Sequence, residues 1–235
     1  MRVFAIVPAK NFDRSKSRLS GLLTDSERVQ LSSLMLRQTL HVLTTSHEVE
    51  RTVVVSSDAR AGLLSEKSAR TDFILQERDE GVNSAVALAN TICTSMGAEA
   101  TLVVPQDLPL LSQAEISEIV LQARHPPSEP RNSISVVICP SQRLDGTNIL
   151  LRAPPDAIAT RYDDNSYRNH VAAARDKGIA IHVLSCPATA LDIDTPEDIA
   201  EVLRQGAPPN PVLDFLGTIL RREKNPATSP ALGEP

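Results

Sequence analysis

The sequence predicts an α/β fold in which a mostly parallel, mixed sheet carries helices on both faces. Three observations predict it. Short β-branched runs alternate with longer stretches of helical spacing along nearly the whole chain, the order that builds parallel sheets through crossover helices. Several of these runs are apolar at successive positions, as strands covered on both faces require. Helix-start signatures recur shortly after the strand-like runs.

In chain order, "RVFAIV" (2–7) is the first strand. Thr24 followed by Glu27 is a capping-box pattern, and the helix it opens places Val29, Leu31, Leu34, Met35 and Leu36 near one stripe. "RTVVVS" (51–56) and "TDFILQ" (71–76) follow as strands, and "EGVNSAVALAN" begins another helix. "ATLVVP" (100–105) is the next strand, and Ser112 with Glu115 repeats the capping signature after it. "SISVVIC" (133–139), the alternating run after the Asp145-Gly146 turn in "RLDGTNILLR", and "IAIHVL" (179–184) complete the strands. A helix starts near Ser166, and Thr195-Pro196-Glu197-Asp198 starts another with proline in its first turn. "RHPPSEPRN" (124–132) reads as an exposed connection within one domain spanning 1–205. Residues 206–235 read as a C-terminal extension, disordered after about residue 224.

Composition narrows the function. With 235 residues, 41% of them hydrophobic, the chain can bury one sizeable core. A net charge of −5 and only 3% aromatics, with no Trp, argue against nucleic acid as a partner. No apolar run approaches the roughly 18 residues of a membrane span, and "MRVFAIVPAK" lacks a secretory cleavage region. Cys93, Cys139 and Cys186 are widely spaced, so buried thiols in a reducing cytoplasm are the simplest reading.

Against this acidic background "VPAKNFDRSKSRL" reverses sign, with Lys10, Arg14, Lys16 and Arg18 opposed only by Asp13. Cations on a loop leaving a strand tip suit a polyphosphate, although a solvated basic loop is an equal reading. The loop has no glycine, which excludes a P-loop or a dinucleotide fingerprint. Asp107 follows an apolar run, at the strand end where open α/β sheets bind ligands; a turn aspartate is its bland reading. In "LDIDTPED" Asp192 and Asp194 stand two apart on an extended segment, so both project to one face with Ile193 opposite. Three carboxylates at strand tips repel unless cations join them, and hard oxygen ligands suit Mg2+. Thr147 and Asn148 offer a hydroxyl and an amide beside a turn, and the helix start at Ser166, with His170 one turn on, offers free N–H groups to an anion. Asn83 either caps its helix or reads a nucleobase edge.

Taken together, "VPAK…SKSRL", "PQDLPLL", "DGTN", "SYRNH" and "DIDTPED" resemble the 2-phospho-L-lactate guanylyltransferase family of coenzyme F420 biosynthesis, over residues 2 to about 204. The resemblance implies a three-layer α/β/α, GT-A-like, Rossmann-related nucleotidyltransferase fold and transfer of GMP from GTP to 2-phospho-L-lactate or phosphoenolpyruvate. It implies that Lys10, Lys16 and Arg18 hold the triphosphate; on the residue reading alone, Asn83 is set near the nucleotide. Asp107, Asp192 and Asp194 would hold Mg2+, while Thr147 and Ser166 would contact the acceptor; on the residue reading, Asn148 and His170 join the acceptor group. The family usually has glycine shortly before that serine, where this chain has Asp163 and Asp164. GTP and the acid are then the partners, in a cytoplasmic enzyme that needs neither nucleic acid nor membrane. Its assembly stays open, monomer or homodimer. The rivals are a nucleotidyltransferase of the molybdenum-cofactor or sugar-phosphate type and a non-catalytic nucleotide-binding regulatory protein.

Overall fold

In a computed structural model that describes residues 1–124, 134–206 and 209–224, the elements in chain order are as follows. They are β1 (Val3–Ala9), α1 (Asp25–Thr45), β2 (Val49–Ser56), α2 (Ala59–Ser65), β3 (Thr71–Leu75), α3 (Val82–Ser95), β4 (Ala100–Val103) and α4 (Gln113–Arg124). Then come β5 (Ser135–Pro140), β6 (Thr147–Ala153), α5 (Ser166–Asp176), β7 (Ile181–Val183), α6 (Pro187–Ala190), α7 (Pro196–Gln205) and α8 (Pro211–Lys224). A 3₁₀ turn occupies Ser17–Leu19. Most of "RHPPSEPRN" and the tail after Lys224 lie outside the described residues.

The seven strands form one sheet in the order β3-β2-β1-β4-β6-β5-β7. All pairings are parallel except those of β6, which runs antiparallel to both β4 and β5. That reversal matters for the site. It brings the first residues of β6, Thr147 and Asn148, to the sheet edge where β1, β2, β3 and β4 end.

Strand alternation divides the buried side chains between two faces. Ala5, Val7, Val54 and Leu102 pack with Leu36, Leu40 and Leu43 of α1 and Ile116 and Ile119 of α4. On the other face Phe4, Ile6, Val53, Val55 and Val103 pack with Ala85, Val86 and Ala89 of α3 and Ala174 of α5. This is the three-layer arrangement. A third core adds to it: Leu31 and Met35 of α1, Ile199 and Val202 of α7, and Val212, Leu213, Leu216 and Ile219 of α8 bury one another. The single stripe expected on α1 is therefore two. Leu31, Leu34 and Met35 face the third core while Leu36 faces the sheet, because a 21-residue helix sandwiched on two sides needs two apolar faces.

The caps are those written in the sequence. Thr24 accepts from the N–H of Glu27, whose carboxylate accepts from Thr24 N–H at 2.9 Å. Thr195 and Asp198 form the same box at α7. No helix among the described residues is long and apolar enough to cross a membrane. Cys93 and Cys139 are free and buried, and burial pushes both thiols up to about 12, which leaves them protonated and unreactive.

Candidate active site

A cavity runs across the strand ends on the α3 side of the sheet, lined by Pro8, Val55, Gln76, Pro105, Asp107 and Asp192 among others. Register explains its course. Pro8 pairs with Val55 and Ile6 with Val103, so residues of equal parity from β1, β2 and β4 emerge side by side. One end, at β4 and β6, gathers Lys16, Asp107, Asp192 and Asp194; the other, at β2 and β3, is lined by Ser57, Gln76 and Asp79.

The cationic loop is anchored at both ends, and of its four cations Lys16 alone has a buried side chain. Phe12 is buried and its N–H donates to Asp58 Oδ2 at 2.9 Å. Arg60 stacks 5.3 Å above the Phe12 ring and pairs with both Asp58 and Asp13, so the acid that opposed the basic run is spoken for. Leu19 is buried in the third core. Held at both ends, the chain passes through Lys16 in a left-handed conformation, φ 55°, which costs a non-glycine residue roughly 1–2 kcal/mol. The side chain is thereby sunk into the site, 5% exposed, with Nζ 2.8 Å from Asp107 Oδ2 and 3.1 Å from Asp194 Oδ1. Burial alone would push this amine down, but the two carboxylates outweigh it and hold it above its ordinary value. Lys10 lines the same cavity. Arg14 is exposed and outside the lining. Arg18 is exposed, 3.8 Å from Asp194, and faces an adjoining cleft that shares Asn148, Asp192 and Asp194 with the main cavity.

The three carboxylates line one cavity, but only Asp107 follows a strand; Asp192 and Asp194 lie on the segment between α6 and α7 rather than at a strand tip. Ile193 is buried in the third core, so Asp192 and Asp194 turn the other way, into the cavity. Ile193 N–H also donates to the Asp107 carbonyl at 3.2 Å, stitching the two acidic loops to each other. Burial works against the Asp194 carboxylate, yet Lys16, Lys10 and Arg18 draw it below its ordinary range. Asp192 goes the other way: burial, then Asp107, then Asp194 push it up to about 6. Among the described residues no three acidic, His or Cys side chains form a ready-made metal cage; the Lys16 ammonium stands between two of the carboxylates instead. The donor set is nonetheless all hard oxygen, and three carboxylates line one end of the cavity where the Lys16 ammonium pairs with only two of them. These residues fit Mg2+, which keeps several waters and needs only one or two protein carboxylates.

Around Thr147 the structure redistributes the expected roles. His170 is fully buried. Its Nε2 accepts the Arg161 N–H at 2.8 Å, and Nδ1 lies 2.9 Å from Thr147 Oγ1. An Nε2 that accepts leaves the proton on Nδ1, so His170 donates to Thr147 and the Thr147 hydroxyl keeps its own proton for the cavity it lines. Burial, with Arg152 and Arg161 nearby, brings His170 down to about 4; it is neutral and cannot touch an acceptor. Ser166 is likewise buried, its Oγ accepting the Thr147 N–H at 2.7 Å, and the N-cap of α5 is Asn165. Asn148 lines the cavity while its Nδ2 donates to the carbonyls of Thr189 and Ala190 at 3.0 and 3.2 Å, fixing the chain that leads into Asp192. Asn83 neither caps nor lines: Gly81 is the N-cap of α3, and Asn83 bridges to Tyr162 N–H at 2.8 Å and to Asp163 Oδ1 at 3.2 Å. Asp163 and Asp164 are exposed outside the cavity lining.

Two supports were invisible in the residue pattern. Asp58 anchors the cationic loop, and its one sequence signal was a position just past a strand end, shared with Asp107. Asp198 accepts the N–H groups of Asp194 and Thr195 at 3.0 and 2.7 Å, so the cap of α7 also fixes a carboxylate of the site.

The sequence profile described as Guanylyl transferase CofC like matches residues 2–228. The chain belongs to that family. Within the CofC-like relatives, it is 32% identical over 208 residues to the phosphoenolpyruvate guanylyltransferase of Conexibacter woesei, covering 87% of this chain and 88% of the relative. It is 30% identical over 206 residues to the 2-phospho-L-lactate guanylyltransferase of Methanothermobacter thermautotrophicus, covering 88% and 86%. The 3-phospho-D-glycerate guanylyltransferase of Colwellia psychrerythraea is 30% identical over 199 residues, covering 85% and 90%. The fold of this CofC-like chain is that of GT-A-like nucleotidyltransferases. A solved chain from Desulfovibrio desulfuricans G20, assigned as a nucleotide-diphospho-sugar transferase, superposes with a TM-score of 0.75 at 14% identity, covering 94% of this chain and 98% of that one. At that identity the likeness speaks to the fold alone.

Proposed function

We propose that the chain transfers GMP from GTP to a small phosphorylated carboxylic acid, 2-phospho-L-lactate or phosphoenolpyruvate, in coenzyme F420 biosynthesis. The observation that carries this reading is the meeting of Lys16, Asp107, Asp192 and Asp194 at one end of a cavity that crosses the tips of β1, β2, β3 and β4. The acceptor's phosphate oxygen forms a bond to the α-phosphorus of GTP as the bond to the β-phosphate oxygen breaks, and pyrophosphate leaves with those electrons. A phosphate is already ionised, so no general base is required, and the buried neutral His170 is not asked to be one. Lys10 and Lys16 bind and orient the triphosphate, and their charge offsets the charge gathering on the leaving group. Asp107, Asp192 and Asp194 would hold Mg2+, which when bound neutralises phosphate charge. The Thr147 hydroxyl serves the acid's carboxylate, with Ser166 and His170 positioning Thr147 from behind and Asn148 holding the segment that leads into Asp192. Arg18 acts from the adjoining cleft.

Family membership favours this over sugar-phosphate or molybdenum-cofactor chemistry, and the retained carboxylates disfavour a purely regulatory protein, since binding phosphates does not call for negative charge. A cytoplasmic setting suits the free, buried thiols. The two favoured acceptors differ by a small apolar change, which discriminates by only about 1–3 kcal/mol; 3-phospho-D-glycerate ranks third. Incubation with each NTP, Mg2+ and the three acids, with products weighed by mass spectrometry, tests the proposal. The expected result is a guanylylated acid plus pyrophosphate from GTP. Pyrophosphate release with none of these acids would overturn it.

A further inference from the structure

Away from the charged end, the cavity changes character. Its far wall is made by Ser57 just past β2, Gln76 just past β3, and Asp79 in the loop entering α3. Ser56 pairs with Leu75, so Ser57 and Gln76 are neighbours at adjacent strand tips. By alternation they project toward α3, as Val55 and Ile74 do. Val55, Val82 and Ala85 supply apolar sides. Gly81, at φ 85°, has nothing within 4 Å of the place a Cβ would occupy, so the wall is open there to a flat group. Its N–H donates to Asp79 Oδ1 at 3.1 Å, the one hydrogen bond the Asp79 carboxylate makes among the described residues. Neighbouring strands lie about 4.8 Å apart, so the tip of β3 stands on the order of 14 Å from that of β4, three strands away. That separation leaves room for a nucleoside between this wall and the phosphate-binding end.

We infer that this wall reads the nucleobase and that Asp79 selects guanine. The inference rests on the proposed guanylyl transfer for the placing of the phosphates. A carboxylate only accepts hydrogen bonds. Guanine presents two adjacent donors, N1–H and the 2-amino group, and Asp79 takes both, while the Gln76 amide donates to O6. Adenine and cytosine would aim a ring-nitrogen lone pair at the same carboxylate, and uracil offers a single donor. A site built to meet a donor strongly rejects a base that lacks it, because its own polar group is left unpaired. The same wall thus separates GTP from the other common nucleotides.

Equilibrium binding of nucleotides, measured without acceptor, tests this. Wild-type protein is expected to bind ITP, which lacks the 2-amino group, about tenfold or more weakly than GTP, and ATP and CTP weaker still. In Asp79→Asn the amide accepts from N1–H but donates where the carboxylate accepted, which suits the 2-oxo group of xanthine. GTP should weaken by roughly 30-fold or more and XTP should become the better ligand. Asp79 is exposed, and an unchanged melting temperature would confirm that the variant folds. Equal affinity of wild type for GTP and ITP would overturn the inference. So would GTP preference retained in Asp79→Asn, or a folded variant that loses GTP without gaining XTP. Selective GTP binding without transfer to any acid would sink the proposed function and leave this inference standing; guanylyl transfer with an unswitched variant would do the reverse.

Discussion

Lys16 and Lys10 sit in one loop and have opposite structural situations, and this separates their effects. Lys16 is buried between Asp107 and Asp194; removing it leaves two carboxylates facing each other with Asp192 behind. Lys16→Ala should cost about 1–3 kcal/mol of unfolding free energy in the metal-free protein. Lys10→Ala, an exposed change, should cost nothing measurable, while both weaken GTP binding; urea melts and nucleotide titration of the pair would show the split. Asp107→Asn should lower transfer by about 100-fold or more while stability stays within about 2 kcal/mol. Full turnover in that variant would remove Asp107 from the chemistry. His170 carries a pH signature. Its folded value of about 4 lies below the ordinary 6.5, so the unfolded chain binds the proton more readily. Stability from this residue is complete above about pH 6.5 and is lost as pH falls toward 4, amounting to as much as about 3 kcal/mol. His170→Gln should flatten the stability profile in that window and raise the KM for the acid more than that for GTP, because Thr147 loses its positioning donor.

Among the elements, α8 supplies much of the third core. Val212, Leu213, Leu216 and Ile219 are buried against α1 and α7, and each such side chain contributes roughly 1.5–3 kcal/mol by leaving water. Their sum is comparable to the whole stability of a typical domain, about 5–15 kcal/mol. A chain stopped after Lys224 should melt and turn over like the full-length protein. One stopped after Gly206 should fail to fold or precipitate, as light scattering and circular dichroism would show. The reason reaches the site: α7 and α8 back the segment holding Ile193, and Ile193 is what turns Asp192 and Asp194 inward.

For the whole molecule, the charge arrangement makes a prediction about metal removal. Lys16 already joins Asp107 and Asp194, so the site has an internal cation when no metal is present. Excess chelator should therefore abolish transfer without lowering the melting temperature. Unimpaired transfer in chelator would exclude a metal role for the three carboxylates. Raising salt should weaken GTP binding through the exposed Lys10 and Arg18 and leave the buried Lys16 pairs largely unscreened.

Much of this was legible from local chemistry. The apolar runs that became strands, the Thr24 and Thr195 caps and the placing of Ile193 opposite its two aspartates all depend on neighbours within a few residues, which the chain states directly. The pairing of Asp192 with Asp194 on one side was also foreseeable. Their meeting with Asp107 was not, since the two lie between α6 and α7 rather than at a strand end and are brought in by Ile193. What only the tertiary structure decided involves direction and burial. The antiparallel course of β6 puts Thr147 and Asn148 beside the tips of strands that run the other way, and no local pattern fixes a strand's sense. Anchors far away in the chain, Asp58 for Phe12 and the third core for Leu19, drive Lys16 inward where a basic loop alone suggests solvent. Likewise His170 and Ser166, polar residues at a helix start, became buried supports of Thr147. A side chain's residue type states what chemistry it can do; which partner takes up that capacity depends on packing between segments that are distant in sequence.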